Sequence, residues 1–282
     1  MAADTRLRSL LFAPGNQPDV LAKLPRSGPD AVVIDLEDAV PADAKADARD
    51  HARRMGTLLV GQHPALGVYV RVNALPSEWF ADDVTDACTS DLTGVVVPKL
   101  ETSQQVGVVA DALRSAGLGH FRVIAGIETA LGVEAVRELL VPPVTACYFG
   151  AEDFVADMGG VRTESSTEVL YARSRVALAA RLAGIVAIDQ VVTMFGDDAR
   201  FLADAAVGRS LGYRGKLCIH PAQVPLAHGA FAPSPEELAR ARRLLDAYEA
   251  AVARGVAAIT FEGQMVDEPV ARHARALLDT AG

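Results

Sequence analysis

Eight short apolar runs, each of strand length, recur along the chain with helical stretches between them, and this alternation narrows the fold more than any other feature. In order they are SLLFA (9–13), AVVID (31–35), VYVRV (68–72), GVVVP (94–98), RVIAGI (122–127), ACYFG (146–150), GIVAID (184–189) and KLCIH (216–220). They are rich in β-branched residues and lack the polar–apolar alternation of a strand with one wet face. They therefore read as parallel strands covered on both sides. The intervening stretches, such as 101–116 and 167–183, are amphipathic at helical spacing. Strands alternating with helices make βα units, and eight of them predict an α/β fold, a closed (β/α)8 TIM barrel rather than an open sheet. The chain has 282 residues, 50% of them hydrophobic, which suffices for such a barrel and leaves a remainder. The barrel is placed at 1–230 and a C-terminal helical extension at 231–282. Ser234 is expected to cap the first helix of the extension, and the extension itself to pack on a neighbouring subunit.

Composition removes several classes of function. A net charge of −9, with no basic run or interleaved aromatics, argues against a nucleic-acid partner. Any anionic ligand must then be met by a few local Arg or Lys residues. The apolar part of RSLLFAPGN is too short for a signal-peptide core, and no run approaches the roughly 20 apolar residues of a membrane span. Cys88, Cys147 and Cys218 are far apart and form no CxxC spacing, which suits free thiols in a reducing compartment. The expectation is a cytoplasmic protein with no membrane partner. Dinucleotide and P-loop fingerprints are absent.

The positions that follow the strands carry the chemistry. They are Asn16; Asp35, Glu37 and Asp38; Arg71 and Asn73; Lys99; Glu128; Glu152 and Asp153; Asp189; and His220. In a barrel these converge on the C-terminal rim, where barrel active sites are built. Glu128 and Asp153 close adjacent strands, so their oxygens could share one hard cation, Mg²⁺ or Mn²⁺. Equally, both could cap the helices they precede. Arg71 inside an apolar strand suits a bidentate grip on a substrate carboxylate, or an ion pair with an acid of the DLED run. Lys99 or Lys216 could form a Schiff base with a keto substrate, but neighbouring acids would keep either amine charged. His220 reads as a general base or as a structural histidine. Asp267, followed by Glu268 and Pro269, has the form of a helix cap.

The ordered set LLFAPGN, VVIDLEDAV, VRVNAL, VVVPKLE, GIETALG, FGAEDF, GKLCIHPAQ and FEGQMVDEPV resembles the citrate lyase β-subunit-like (CitE-like) family, over nearly the whole chain. That family includes malyl-CoA, citramalyl-CoA and related β-hydroxyacyl-CoA lyases. The resemblance implies a (β/α)8 barrel, a homo-oligomer that is a trimer or a dimer of trimers, Mg²⁺, and a coenzyme A thioester with a 2-oxo acid as substrates. Residue by residue, it implies that Glu128 and Asp153 hold the metal and that Arg71 and Glu128 bind the oxo acid. Asp267, against its appearance as a cap, becomes the acid–base residue delivered from a neighbouring subunit's lid. Lys23 lies near the CoA phosphates, Glu37 and Asp38 stand behind the metal ligands, and Leu131 lines the acyl pocket. The related metal-dependent HpcH/HpaI aldolases act on 2-oxo acids without CoA and carry a histidine where this chain has Asp38. A citrate lyase β subunit would need an acyl-carrier partner. A non-catalytic subunit that keeps the pocket is the remaining alternative.

Overall fold

The computed structural model describes residues 6–279; the ends of both expected segments, 1–5 and 280–282, lie outside them. The chain divides into two compact units, one running to His228 and one from Gly229. In the first, β1 (Ser9–Pro14), β2 (Ala31–Asp35), β3 (Gly67–Arg71), β4 (Gly94–Val97), β5 (Arg122–Ile127), β6 (Val144–Phe149), β7 (Val186–Asp189) and β8 (Gly215–Cys218) form a closed parallel barrel in sequence order. β1 pairs with β8, placing Ser9, Leu10 and Leu11 beside Lys216, Leu217 and Cys218. The eight apolar runs are the eight strands, as expected.

Strand periodicity sorts the side chains. Leu10, Ala31, Val33, Tyr69, Val96, Ile124, Ala146, Tyr148, Ile188 and Leu217 pack together as the barrel interior. Two residues beyond Val33 and Tyr69, on the same inner face, stand Asp35 and Arg71, which are partners in the β2–β3 register. The interior thus changes from apolar to charged as it reaches the carboxyl end.

The long helices cover the outside. Lys45–Gln62 presents Lys45, Ala48, Ala52, Gly56 and Leu59 as its buried stripe. Ser103–Ser115 begins with a reciprocal capping box between Thr102 and Gln105. β7 starts two residues later than the apolar run. Gly184 and Ile185 instead finish the helix Leu170–Ala183, donating their N–H groups to the carbonyls of Arg181 and Ala180. All three cysteines are free and buried, and burial pushes each thiol up to about 12, so they are unreactive near neutral pH. Among the described residues no helix is long and apolar enough to cross a membrane.

The second unit contains a helix Pro235–Val252, a hairpin of β9 (Ile259–Phe261) and β10 (Gln264–Val266), and a helix Glu268–Asp279. Ser234 caps the first helix in a capping box with Glu237, where Pro235 supplies a φ already suited to a first turn. Leu244, Leu245, Tyr248, Val266, Ala271 and Ala274 form its own small core.

Candidate active site

At the carboxyl end of the barrel a cavity of about 490 Å³ opens, with Phe12, Val191, Leu217 and Ile219 on its walls and Asp35, Arg71, Glu128 and Tyr148 among its polar lining. Arg71 makes a fork-to-fork pair with Asp35, Nε to Oδ1 at 2.7 Å and Nη2 to Oδ2 at 2.6 Å. Its Nη1 lies 2.8 Å from Glu37 Oε2, without hydrogen-bond geometry. The guanidinium is therefore oriented by Asp35, while its other edge faces Glu37 as an ion pair. Lys99 donates to Glu37 Oε1 at 2.7 Å and lies 3.5 Å from Asp38 and 3.6 Å from Asp153.

Glu128 is 2% exposed. Its Oε1 accepts the Tyr148 hydroxyl at 2.5 Å and its Oε2 accepts the Lys99 backbone N–H at 3.0 Å. The helix that follows is capped by Thr129, so Glu128 does not serve as a cap. Asp153 sits in the first turn of the helix Ala151–Asp157, whose N-cap is Gly150, and its carboxylate is 39% exposed. Two glycines make room for this pair. A Cβ at Gly126 would stand 2.6 Å from the Tyr148 hydroxyl oxygen, and one at Gly150 would stand 2.6 Å from Glu128 Cγ. Both contacts are closer than packing tolerates, so the absent side chains are what let Tyr148 and Glu128 meet.

The electrostatics follow from a count. Asp35, Glu37, Asp38, Glu128 and Asp153 face Arg71 and Lys99, with Lys45 behind Asp35, Glu37 and Asp38, which leaves more acids than cations. Burial pushes Glu37 up to about 7; Glu128 and Asp38 add to the shift, while Arg71 and Lys99 oppose it. Burial also raises Glu128. Tyr148 lies well above its ordinary range, because it is buried and beside Glu128, so it remains the donor. Lys99 is held above its ordinary range: burial works against its charge, but the hydrogen bond to Glu37 and the fields of Glu37, Asp153 and Asp38 outweigh it. A charged ammonium cannot attack a carbonyl.

The donor set suits a hard divalent cation. Among the described residues no group of three or more His, Cys, Asp or Glu side chains could hold a metal, whereas Mg²⁺ commonly takes one or two carboxylates and completes its shell with water and substrate. Glu128 keeps lone pairs beyond its two hydrogen bonds. The surplus of negative charge is what a dication would offset.

Some residues of the expected ring go elsewhere. Asp189 and Lys216 each adjoin an inward residue, Ile188 and Leu217, so strand alternation turns them outward. There Asp189, 0% exposed, grips Arg173 through both oxygens at 2.8 and 2.6 Å and accepts from Lys216 Nζ at 2.8 Å; Asp204 joins both cations. Lys216 is thus an ion-pair partner and not a free amine. Asn73 is buried with Asp83 and Lys45, and Glu152 pairs with Arg162. His220 is exposed, stacks on Phe195 and accepts the Ala222 N–H. The Asn16 side-chain oxygen is buried without a partner. Lys23 is exposed at the head of a short helical turn, and Leu131 is exposed on the helix Ala130–Leu139. Asp267 belongs to the second unit, where its carbonyl accepts from Ala271 at the start of the last helix.

Two residues escaped the sequence reading. Tyr148 was signalled by alternation, since a tyrosine two residues past inward Ala146 must find a partner for its hydroxyl. Lys45 donates to the carbonyls of Leu36 and Glu37 and to Asn73 Oδ1 at 2.6–2.8 Å, fixing the loop that carries Glu37. Its signal was a lysine on the stripe of Ala48, Ala52 and Leu59.

Glu37 yields a stability prediction. Its folded pKa of about 7 exceeds the ordinary 4.5, so the folded protein keeps a proton that the unfolded chain releases. That contribution is complete below pH 4.5 and is lost as the pH rises to about 7. Thermal denaturation in EDTA should show a declining midpoint across this window, flattened in Glu37→Gln. An unchanged slope in the variant would count against the assignment.

A closed eight-stranded βα barrel with an ion-paired acidic cavity at its carboxyl mouth is the architecture of a (β/α)8 enzyme. Residues 8–221 match the HpcH/HpaI aldolase/citrate lyase family. The chain is 57% identical to a citrate lyase subunit beta-like protein of Deinococcus radiodurans, over 96% of either chain. It is 35% identical to an L-malyl-CoA/beta-methylmalyl-CoA lyase of Cereibacter sphaeroides, covering 92% of this chain and 90% of that one. Among solved structures it resembles CitE of Mycobacterium tuberculosis in complex with magnesium, acetoacetate and coenzyme A, with a TM-score of 0.82, 33% identity and 97% of both chains covered. The chain belongs to the HpcH/HpaI aldolase/citrate lyase family, and it is an enzyme of the lyase class.

Proposed function

We propose that the protein is a Mg²⁺-dependent carbon–carbon lyase that cleaves or forms a β-hydroxyacyl-CoA of the malyl-CoA or citramalyl-CoA kind, with acetyl-CoA and a 2-oxo acid as the other side of the reaction. The observation that carries this reading is that Glu128, just past β5, and Asp153, in the first helical turn after the adjacent β6, line one cavity with the oriented guanidinium of Arg71. The names of the Cereibacter and Mycobacterium relatives support the thioester and the metal. In this reading Glu128 and Asp153 hold the dication, Mg²⁺ or Mn²⁺, with Glu37 and Asp38 behind them. When bound, the ion supplies Lewis acidity that lowers the pKa of the substrate hydroxyl.

The chain's own groups do the rest. Arg71 holds the oxo acid's carboxylate, because Asp35 has already fixed its plane and the guanidinium needs no reorganisation. Tyr148 and the Lys99 N–H keep Glu128 in place. Phe12, Val191 and Leu217 keep water from the reacting carbons. Asp267, reaching the mouth of a neighbouring subunit in a trimer or hexamer, protonates the enolate carbon of the departing acetyl thioester, or takes that proton in the reverse direction. Lys23 meets the CoA phosphates.

The test is a condensation screen. Acetyl-CoA or propionyl-CoA is mixed with glyoxylate, pyruvate or acetoacetate, with and without Mg²⁺, and products are read by mass. One β-hydroxyacyl-CoA should form, vanish with EDTA and return with Mg²⁺. No product from any CoA thioester, or an EDTA-resistant reaction trapped by borohydride, would overturn the reading. Product formed only on an acyl-carrier thioester would assign the chain to citrate lyase β subunits.

A further inference from the structure

Lys99 follows Pro98 at the end of β4 with φ at +53°, a left-handed conformation that a residue with a side chain adopts at a cost. Two contacts explain why it is kept. Its backbone N–H points at Glu128 Oε2, 3.0 Å away, and its ammonium reaches into the group formed by Glu37, Asp38 and Asp153 at 2.7, 3.5 and 3.6 Å. A right-handed backbone would direct the amide and the side chain differently and forfeit one contact or the other. The side chain is 29% exposed, so it has a path to solvent as well as to the acids.

We infer that Lys99 is a positioning residue for metal loading: its ammonium, anchored on Glu37, is a resident monocation that screens Asp153, and a divalent cation taken up by Glu128 and Asp153 must bind against its charge. This rests on the reading of those two acids as the metal ligands. The physical ground is direct. Asp153 has Lys99 as its one ion-pair partner among the described residues. An ammonium held beside that carboxylate competes for the same oxygens and repels a dication bound there. Glu37 and Asp38 already hold the ammonium, so loss of Asp153 to a metal does not strand its charge. Lys99 therefore weakens the site for any cation by its like charge, and it keeps Glu37, Asp38 and Asp153 from repelling one another before loading.

The measurement is Mg²⁺ affinity by calorimetry on the full chain without substrate. Lys99→Met, which keeps the length and removes the charge, should bind Mg²⁺ tighter by about tenfold or more, because like charges a few ångströms apart no longer repel. Lys99→Gln should tighten binding in the same direction, and Lys99→Arg should stay near the wild type. A merely structural role gives the opposite sign, because a loosened Glu128 would bind metal more weakly. Equal or weaker binding in folded Lys99→Met and Lys99→Gln would overturn the inference alone. Binding that survives Glu128→Gln and Asp153→Asn together, in either background, would instead overturn the assignment of the metal ligands.

Discussion

Glu128→Gln is expected to lower kcat/KM for thioester cleavage by at least about 10²-fold and to weaken Mg²⁺ binding in parallel, since groups that only orient a metal ligand are already worth 10–100-fold. The amide keeps the shape: its one oxygen still accepts from the Lys99 N–H, and its NH2 can donate to the Tyr148 hydroxyl oxygen, so the fold should stand. What it loses is the charge, and with it half of the carboxylate pair that Asp153 completes. Arg71→Ala is the companion experiment. It should cost about 10²–10³-fold, the scale of one preorganised donor removed from a developing or fixed anion, while leaving metal affinity unchanged or higher. Separate effects on metal and on oxo acid would support the division of labour proposed for the two residues. A Glu128→Gln enzyme with wild-type turnover in Mg²⁺ would remove the basis of the mechanism.

The second large effect concerns stability. Asp189→Asn should destabilise the barrel by about 3–5 kcal/mol, the usual result of breaking a buried ion pair from one side. Arg173 and Lys216 would then share Asp204 alone, at a place where Asp189 and Lys216 are both fully buried. For a chain of this size the melting temperature should fall by on the order of 10 °C. Adding Lys216→Met to the same protein removes the surplus charge, and the double variant should be more stable than the sum of the single effects. A shift of less than about 2 °C in Asp189→Asn would show that water, not the ion pair, satisfies those groups.

The contrast between these two acidic positions shows how much was legible in the sequence. The strands, their order and the closed barrel followed from the apolar runs, and several of the positions singled out after the strands, Arg71 and Glu128 among them, line one cavity. Which of those residues face inward did not follow. Strands buried on both sides carry no polar–apolar alternation to set the phase, so Asp189 looked like a member of the ring, and Lys216 like a candidate amine, until the register placed Ile188 and Leu217 inside. Lys45 was hidden for a related reason. A lysine on a helix's apolar stripe usually extends past it to solvent, and only the three-dimensional path of the Leu36–Glu37 loop brings carbonyls within reach of its amine. The bidentate Asp35–Arg71 pair, by contrast, was one of the two outcomes open to an arginine on that strand.

The ring is sealed by residues that stand about two hundred positions apart in the chain, β1 with β8. Closure therefore waits until synthesis has passed Cys218, and every shorter nascent chain presents the free rims of β1 and of its newest strand. Unpaired rims are templates for intermolecular pairing. A stop codon shortly before Lys216 should accordingly yield insoluble protein, although seven of the eight staves would already be present.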